Sequence, residues 1–265
     1  METAASLNLS TVLYLYGLVE PRADLSGLAA VEEGAGIFLV QGEEVACAVS
    51  VVPAAAYEQP SPAASAAEQL DWVTPRAWRH HEVLRRLHRA GTVVPLKFGT
   101  LCASASQVEL LLQRVRAPVA DLLRHFRGKD EWTLKICHDV AAHTSELQLV
   151  SPELVALQEE ERQSSGGRAY FVRKKLQRAT ADLVAACDAD IQRRVLARLA
   201  DLDFEMGVAE REPRHVPLLV DRSRFQVLED ALAALEVEHR SSHVTFELVG
   251  PWPPYSFTSA MELTS

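Results

Sequence analysis

The residues best suited to chemistry are histidines and cysteines, and the first group lies in one predicted helix. The stretch WRHHEVLRRLHR, residues 78–89, brings His81, Arg85 and His88 toward one side of that helix. A metal site needs ligands that converge on one point. His81 and His88 are seven residues apart, and no second histidine follows at the i, i+4 spacing of helical metal motifs. We therefore interpret these histidines as packed or solvated side chains.

The second group is CHD, residues 137–139, where a nucleophile stands beside a base. Cys137 and His138 are neighbours on a predicted strand, so their side chains point to opposite faces. They cannot form the ion pair that activates a cysteine without a bulge in the strand. An enzyme that uses Cys137 or Cys102 is therefore the least favoured class, and we predict no catalytic residue.

A glycine-rich stretch and a charged stretch surround the start of a predicted long helix. SSGGR, residues 164–168, resembles a phosphate-binding turn, but it lacks both nucleotide-binding glycine patterns and follows no strand. We predict a hinge or a helix start there, and no metal, nucleotide or covalent cofactor. The acidic run EEE (159–161) precedes the basic cluster Arg173, Lys174 and Lys175. Basic residues are unfavourable near a helix N-terminus, so the cluster is either a solvated face or a surface for an acidic partner.

Composition narrows the class of protein and of partner. The chain has 265 residues, of which 48% are hydrophobic and 24% charged, and its net charge is −9. This negative charge argues against nucleic acid or an anionic membrane surface as the partner. No apolar run approaches the roughly 18 residues of a membrane span. The cysteines are scattered without a C-x-x-C pair, which predicts reduced thiols in a cytoplasmic protein; they are Cys47, Cys102, Cys137 and Cys187.

The elements that must position these residues begin with an N-terminal β-β-β-α-β-α series. Its strands are predicted from dense apolar runs, and its helices from capping residues and glycine stops. The predicted elements are a strand at 11–20, a hairpin at 35–52, a mobile Ala/Pro loop at 53–69, a helix from Thr74 to Gly91, an interrupted strand at 92–100, and a helix from the capping box SQVE (106–109) to Gly128.

From residue 131 the pattern becomes β-α-β-β-α-β. The predicted elements are a strand at 131–140, a helix of about nine turns that ends near Leu202, strands at 204–210 and 215–222, a helix at 224–239 and a strand at 242–250. This order is typical of the ferredoxin-like fold, an antiparallel sheet with helices on one face. The predicted fold class is α+β with two domains: a mixed domain at 11–129 and a ferredoxin-like domain with a long helix at 130–258. The boundary lies near Gly128–Glu131.

An unusual segment, GPWPPYSF, occupies residues 250–257, eight residues before the end of the sequence. Its three prolines restrict their own backbone and favour extended conformations in the residues before them. Trp252, Tyr255 and Phe257 can then project from a stiff backbone at little ordering cost. Two interpretations stay open: the segment packs inside the protein between the two domains, or it presents aromatic anchors to a partner.

Five stretches together resemble the GvpF/GvpL family of gas vesicle proteins. They are VPLKFGT (94–100), SGGRAYFVRKK (165–175), GPWPPYSF (250–257), LYLYGLV (13–19), and EW at the start of an alternating strand (131–138). The last-strand exit GPWPPYSF is the most specific of them. The resemblance spans residues 11–258 in the family's motif order; the Ala/Pro loop and the chain end lie outside it.

The resemblance implies a two-domain α+β protein that takes part in building gas vesicles. Family members are accessory or minor structural proteins, without known catalysis, that associate with the small apolar shell protein and with other vesicle proteins. For this chain we accordingly expect no enzyme activity and a cytoplasmic location at gas vesicles. The candidate partner-binding residues are Trp252, Tyr255, Phe257, Arg173, Lys174 and Lys175. Fold analogy alone supports a second class, a regulatory protein that binds a small ligand.

Overall fold

A computed structural model describes residues 11–57, 65–207 and 214–258, and in this part of the chain it shows an α+β architecture of six α-helices and two sheets. Contacts group the chain into two compact units. Unit 1 is Met1–Glu131 together with Pro251–Ser265, and unit 2 is Trp132–Gly250. Residues 251–258, which the sequence analysis assigns to the C-terminal domain, therefore group with the N-terminal unit.

Unit 1 contains a sheet of order β2-β3-β1-β4, with β5 also paired to β1. Its strands are β1 (Thr11–Val19), β2 (Ile37–Gln41), β3 (Ala46–Pro53), β4 (Val93–Pro95) and β5 (Leu101–Cys102). The predicted hairpin is present: β2 and β3 pair antiparallel, and the Gly42 amide donates to the Val45 carbonyl at 2.9 Å. Gly17 lies at a bulge in β1, where an added Cβ would approach Val93 to 2.7 Å.

Helices α1 (Ala66–Ala90) and α2 (Ala105–Phe126) complete unit 1, and both begin earlier than predicted. A capping box between Ser65 and Glu68 starts α1, so the predicted start at Thr74 is wrong and Pro75 lies inside the helix. The Ser104 side chain accepts from the Gln107 amide and starts α2, ahead of the predicted box at 106–109. In both cases a side chain that satisfies free amides sets the start.

Two other N-terminal predictions need correction. Only Val93–Pro95 of the predicted strand at 92–100 forms a strand, β4, because the chain turns through Lys97–Thr100 before β5 begins at Leu101. The predicted loop at 53–69 includes a 3₁₀ turn at Ala54–Tyr57 and the first residues of α1. The rest of that predicted loop, 58–64, lies outside the described residues.

Unit 2 is built around a sheet of order β7-β8-β6-β9. Its strands are β6 (Lys129–His138), β7 (Glu205–Met206), β8 (His215–Asp221) and β9 (Val244–Trp252), and its helices are α3 (Val140–Val150), α4 (Pro152–Gln163), α5 (Gly166–Asp201) and α6 (Phe225–Glu238). Helices α3 and α4 were not predicted. Of the described residues in the predicted strand at 204–210, only Glu205–Met206 form a strand. Residues 208–210 lie outside the described part of the chain.

The long helix α5 buries its two halves unequally. Ile191, Val195 and Leu199 belong to the core of unit 2 with side chains of β6, β8 and α6. In the first half only Val172 and Thr180 are buried, so the predicted continuous apolar stripe is half-buried from Leu176 to Cys187. The first half of α5 therefore borders the surface of unit 2.

Candidate partner-binding site

The C-terminal segment, residues 251–258, forms a compact turn in unit 1. Pro253 and Pro254 are buried, and a 3₁₀ turn covers Tyr255–Phe257. The Tyr255 amide donates to the Pro253 carbonyl at 2.7 Å. The prolines therefore act as packed residues that fix the direction of the chain.

Two aromatic side chains of this segment contact helix α1 through His81. The Tyr255 hydroxyl lies 2.8 Å from His81 Nδ1, and their rings stack at a centroid distance of 5.9 Å. The Trp252 ring lies 5.3 Å from the same imidazole. Tyr255 also packs against the unit 1 core, and this burial raises the pKa of its phenol. Burial likewise lowers the pKa of His81, so a neutral imidazole is favoured at this contact.

A buried carboxylate holds the next residue of the segment. Glu131, only 4% exposed, accepts hydrogen bonds from the Ser256 amide at 2.8 Å and from the Ser256 hydroxyl at 2.7 Å. Burial raises the pKa of Glu131 even though both bonds stabilise its charged form. Beside it in sequence, Asp130 accepts from the buried His88 at 2.7 Å. The segment is thus held within unit 1 by apolar, stacking and charged contacts.

The basic cluster of α5 lies in unit 2 and is only partly used inside it. Arg173 donates to Glu161 at the end of α4 over 2.7 Å. Glu160 of the same acidic run accepts from Arg168 at 3.1 Å. These pairs explain how α5 tolerates basic residues near its N-terminus. Lys174 and Lys175 are exposed.

An open groove of about 760 Å³ lies beside this cluster, between α3 and α5. Its lining residues are Val140, Thr144 and Gln148 of α3, Glu161 of α4, Arg173, Leu176, Gln177, Thr180, Ala181, Val184, Ala185 and Asp188 of α5, and Arg214. Thr180 is 7% exposed, and its hydroxyl has no hydrogen-bond partner among the described residues. The groove is apolar in the middle and charged at both ends, where Arg173 pairs with Glu161 and Arg214 with Asp188.

Large apolar side chains are also exposed on these helices. At the end of α3, Leu149 is 78% and Val150 64% exposed, and near the start of α5 Tyr170 is 57% and Phe171 73% exposed. The Tyr170 and Phe171 rings meet edge to face at 5.9 Å. Because contiguous exposed apolar surface marks sites that bind another protein, the Tyr170–Phe171 pair is a candidate contact.

A histidine pair in unit 2, His138 of β6 and His143 of α3, lies beside Asp188 of α5. His138 contacts Asp188 through Nδ1 at 3.1 Å and His143 through Nε2 at 2.8 Å. Burial lowers the pKa of His143, and the neighbouring His138 lowers it further. Because both ring nitrogens of His138 are engaged, this imidazole does not serve as a base for the exposed Cys137.

Three observations on the described residues concern metal binding, cysteine reactivity and membrane-spanning helices. They contain no group of three or more histidine, cysteine or acidic side chains placed to hold a metal ion. All four cysteines are free, and burial raises the pKa of Cys102. Of the helices in the described ranges, none is long and apolar enough to cross a membrane.

A family model described as "Gas vesicle synthesis protein GvpL/GvpF" matches residues 12–259. The chain belongs to this family. It is 26% identical over 235 residues to gas vesicle protein L of Streptomyces sp. (strain CB03234), covering 84% of each chain. Gas vesicle protein F of the same strain is 28% identical over 184 residues, which cover 67% of this chain and 75% of that relative.

Solved structures of the GvpL/GvpF family share the fold. The crystal structure of the gas vesicle protein GvpF from Anabaena sp. PCC7120 matches with a TM-score of 0.66 at 17% identity, over 94% of this chain and 98% of that chain. GvpF from Microcystis aeruginosa matches with a TM-score of 0.59 at 16% identity, over 93% and 98%. The mixed α+β architecture is therefore shared across these sequences.

The candidate residues of this GvpL/GvpF chain fall into two separate groups. Trp252 and Tyr255 meet at His81 in unit 1, and Phe257 is half-buried in the same segment. Arg173, Lys174 and Lys175 follow one another on α5 in unit 2.

Sequence reasoning missed Glu131, the apolar pair Tyr170–Phe171 and the groove residue Thr180. Only Tyr170 and Phe171 left a signal, since two adjacent large aromatics are about 100° apart around a helix and seldom both fit one apolar stripe.

Proposed function

We propose that this chain is an accessory or minor structural protein of gas vesicle assembly that binds the small apolar shell protein and acts without catalysis. The observation that carries the proposal is the match to a gas vesicle synthesis family over residues 12–259. In this role the protein holds shell subunits while a vesicle is nucleated or built, in the cytoplasm and at the vesicle surface. Other vesicle accessory proteins are further partners.

A physical argument supports binding of the shell protein. A small apolar subunit aggregates in water unless its exposed surface is covered. Unit 2 offers an apolar counterpart, because Leu149, Val150, Tyr170 and Phe171 are all more than half exposed. Burial of apolar area on association contributes about 25 cal/mol per Å² before the entropy of association is subtracted. We therefore assign shell-protein binding to the helices of unit 2.

The two groups of candidate residues receive different roles in this proposal. Arg173, Lys174 and Lys175 lie on α5 close to the exposed aromatics, and they supply polar contacts around an apolar centre. Trp252, Tyr255 and Phe257 instead stabilise unit 1. The Trp252 ring and the Tyr255 ring and hydroxyl already contact His81, and Phe257 is half-buried in the same segment. A direct partner contact through the half-exposed edges of these aromatics is the competing assignment.

We also propose that the chain works as two domains and that the second is ferredoxin-like. The sheet order β7-β8-β6-β9 supports that assignment. The order of elements in unit 2 is also β-α-β-β-α-β once α3, α4 and α5 are counted together as the first helical connection. The domain limits follow the predicted ranges 11–129 and 130–258, except that the C-terminal segment contributes its packing to unit 1.

The experiment that tests the proposed function is deletion and complementation in a vesicle-forming host. Cells that lack this gene should form few or no vesicles, and the parent gene should restore them. The tagged protein, purified from the complemented cells, should retain the shell protein. Normal vesicles in the deletion strain, or a purified protein that retains no shell subunit, would overturn the proposal.

A further inference from the structure

The side of α5 that lines the groove has side chains arranged in rows, as in a surface on which another helix packs. The lining residues of α5 fall into two rows with four-residue spacing: Arg173, Gln177, Ala181 and Ala185, and Leu176, Thr180, Val184 and Asp188. The α3 residues Val140, Thr144 and Gln148 form a third row with the same spacing. Rows of this kind are the ridges between which a packed helix inserts its own side chains. Two helices therefore flank a space whose shape suits a third.

The dimensions and the side chains of the groove agree with that occupant. The α5 rows run from Arg173 to Asp188, which corresponds to about 22 Å at the helical rise of 1.5 Å per residue. At the centre, Ala181 and Ala185 are exposed and small, so a second backbone can approach closely. The buried Thr180 hydroxyl, which lacks a partner within the described residues, marks a polar position in this apolar centre.

The charges at the two ends define the chemistry of the occupant. In each end pair the arginine is more exposed than its carboxylate: Arg173 is 61% exposed against 24% for Glu161, and Arg214 is 36% exposed against 20% for Asp188. Each guanidinium has donors left for a further acceptor, because it carries five N–H groups. A helix that enters this groove is therefore matched best by acidic residues near both of its ends.

We propose that the groove between α3 and α5 binds one amphipathic α-helix of a partner protein, with an apolar central face and an acidic residue near each end. The partner belongs to the vesicle, which is the only element of this inference that rests on the proposed function. The apolar face packs on Leu176, Ala181 and Val184, and the acidic ends meet Arg173 and Arg214.

The test uses a stapled helical peptide of about 18 residues, long enough to span the groove at 1.5 Å per residue. It carries a Leu/Ala face and a Glu at each end, and a second peptide carries Lys at both ends. Fluorescence anisotropy with the whole chain should show saturable binding of the Glu peptide and binding at least about tenfold weaker of the Lys peptide, since each charged contact changes sign.

Two pairs of variants localise the binding. Ala181→Trp fills the groove and should weaken the Glu peptide about tenfold or more, whereas Ala197→Trp, an exposed alanine of the same helix outside the groove, should not. Arg173→Glu should weaken the Glu peptide and strengthen the Lys peptide. Arg193→Glu is its matched control, because Arg193 also pairs with a carboxylate but lies away from the groove.

The outcomes separate this inference from the proposed function. Equal binding by parent and Ala181→Trp, or no binding of the Glu peptide, overturns the groove proposal, and saturation of the groove by apolar small molecules alone overturns it in favour of a ligand pocket. If the peptide results hold but Ala181→Trp still retains the shell protein, the groove serves another vesicle partner. If the parent retains no shell protein, the proposed function fails while the helix site stands.

Discussion

The C-terminal segment of unit 1 and the first half of α5 in unit 2 both carry aromatic side chains, but they use them differently. Trp252 and Tyr255 contact His81 within unit 1. Tyr170 and Phe171 contact each other and are otherwise more than half exposed. Aromatic side chains in contact with the body of a unit contribute to folding, whereas exposed ones are available for association. The comparison therefore assigns stability to one region and partner binding to the other.

Removal of the packed aromatics should give the largest effect. Trp252→Ala with Tyr255→Ala should lower the stability of unit 1 by about 3 kcal/mol, because the side chains are half-buried and a fully buried Trp or Phe loses about 3–5 kcal/mol on truncation to Ala. Thermal melting of the whole chain should shift by roughly 6–12 °C. Unchanged melting with weaker shell-protein binding would instead make these residues a partner contact.

The matched change on α5 should leave folding intact and weaken association. Tyr170→Ala with Phe171→Ala removes exposed rings, so the free energy of unfolding, followed by thermal melting, should change by no more than about 0.5 kcal/mol, as for ordinary surface substitutions. Binding of the shell protein, measured by titration, should weaken by about 2 kcal/mol or more, a factor of roughly 30. Full binding by this double variant would remove the exposed rings from the interface.

Acid should destabilise unit 1 through His80. Burial lowers the pKa of this imidazole to about 4, and its two nitrogens contact Tyr14 at 2.9 Å and the Leu96 carbonyl at 3.2 Å. Below pH about 6.5 the His80 imidazole binds a proton in the unfolded chain but stays neutral in the folded chain. The free energy of unfolding therefore falls as the pH falls toward 4. The loss should reach about 2 kcal/mol at pH 5, at 1.4 kcal/mol per unit.

Urea unfolding at pH 7 and pH 5 measures that loss, and His80→Gln gives the control. The variant is less stable at both pH values, but the difference between them should shrink by about the loss assigned to His80. An equal difference in parent and variant would show that other groups produce the acid sensitivity.

The smallest expected effect concerns the floor of the groove. Thr180→Val replaces a buried hydroxyl that has no partner among the described residues, and it should stabilise the free chain by about 1 kcal/mol. Thr144→Val changes a half-buried threonine of the same groove and should be close to neutral. Calorimetric melting compares the stability of the two variants. A destabilised Thr180→Val would show that the Thr180 hydroxyl has a hydrogen-bond partner in solution.

How far the sequence predicts this molecule depends on the range of the forces involved. The strand at β1 and the hairpin of β2 and β3 follow from dense apolar runs and a turn, which are local signals. The start of α1 was also local, since Ser65 and Glu68 form a capping box, but Pro75 at a favoured N-terminal position pointed to a later start. Helices α3 and α4 escaped prediction because they bury few residues, among them His143, Leu154 and Leu157, and so show little periodicity.

The candidate sites depend on contacts that no local pattern contains. His81 and Tyr255 meet across 174 positions of the chain, and Glu131 and Ser256 across 125. The basic cluster of α5 was visible in the sequence, but its pairing with EEE required the turn between α4 and α5. The groove required α3, which was not predicted, so its rows of four-residue spacing appear only once the helices are placed.

Amide hydrogen exchange of the whole chain, with and without the shell protein, distinguishes binding at unit 2 from binding at the C-terminal segment. If unit 2 holds the partner, the shell protein should slow exchange in Val140–Val150 and in the first half of α5, and should leave residues 251–258 unchanged. Protection confined to residues 251–258, with α3 and α5 exchanging as in the free protein, would show that the C-terminal segment and not unit 2 binds the shell protein.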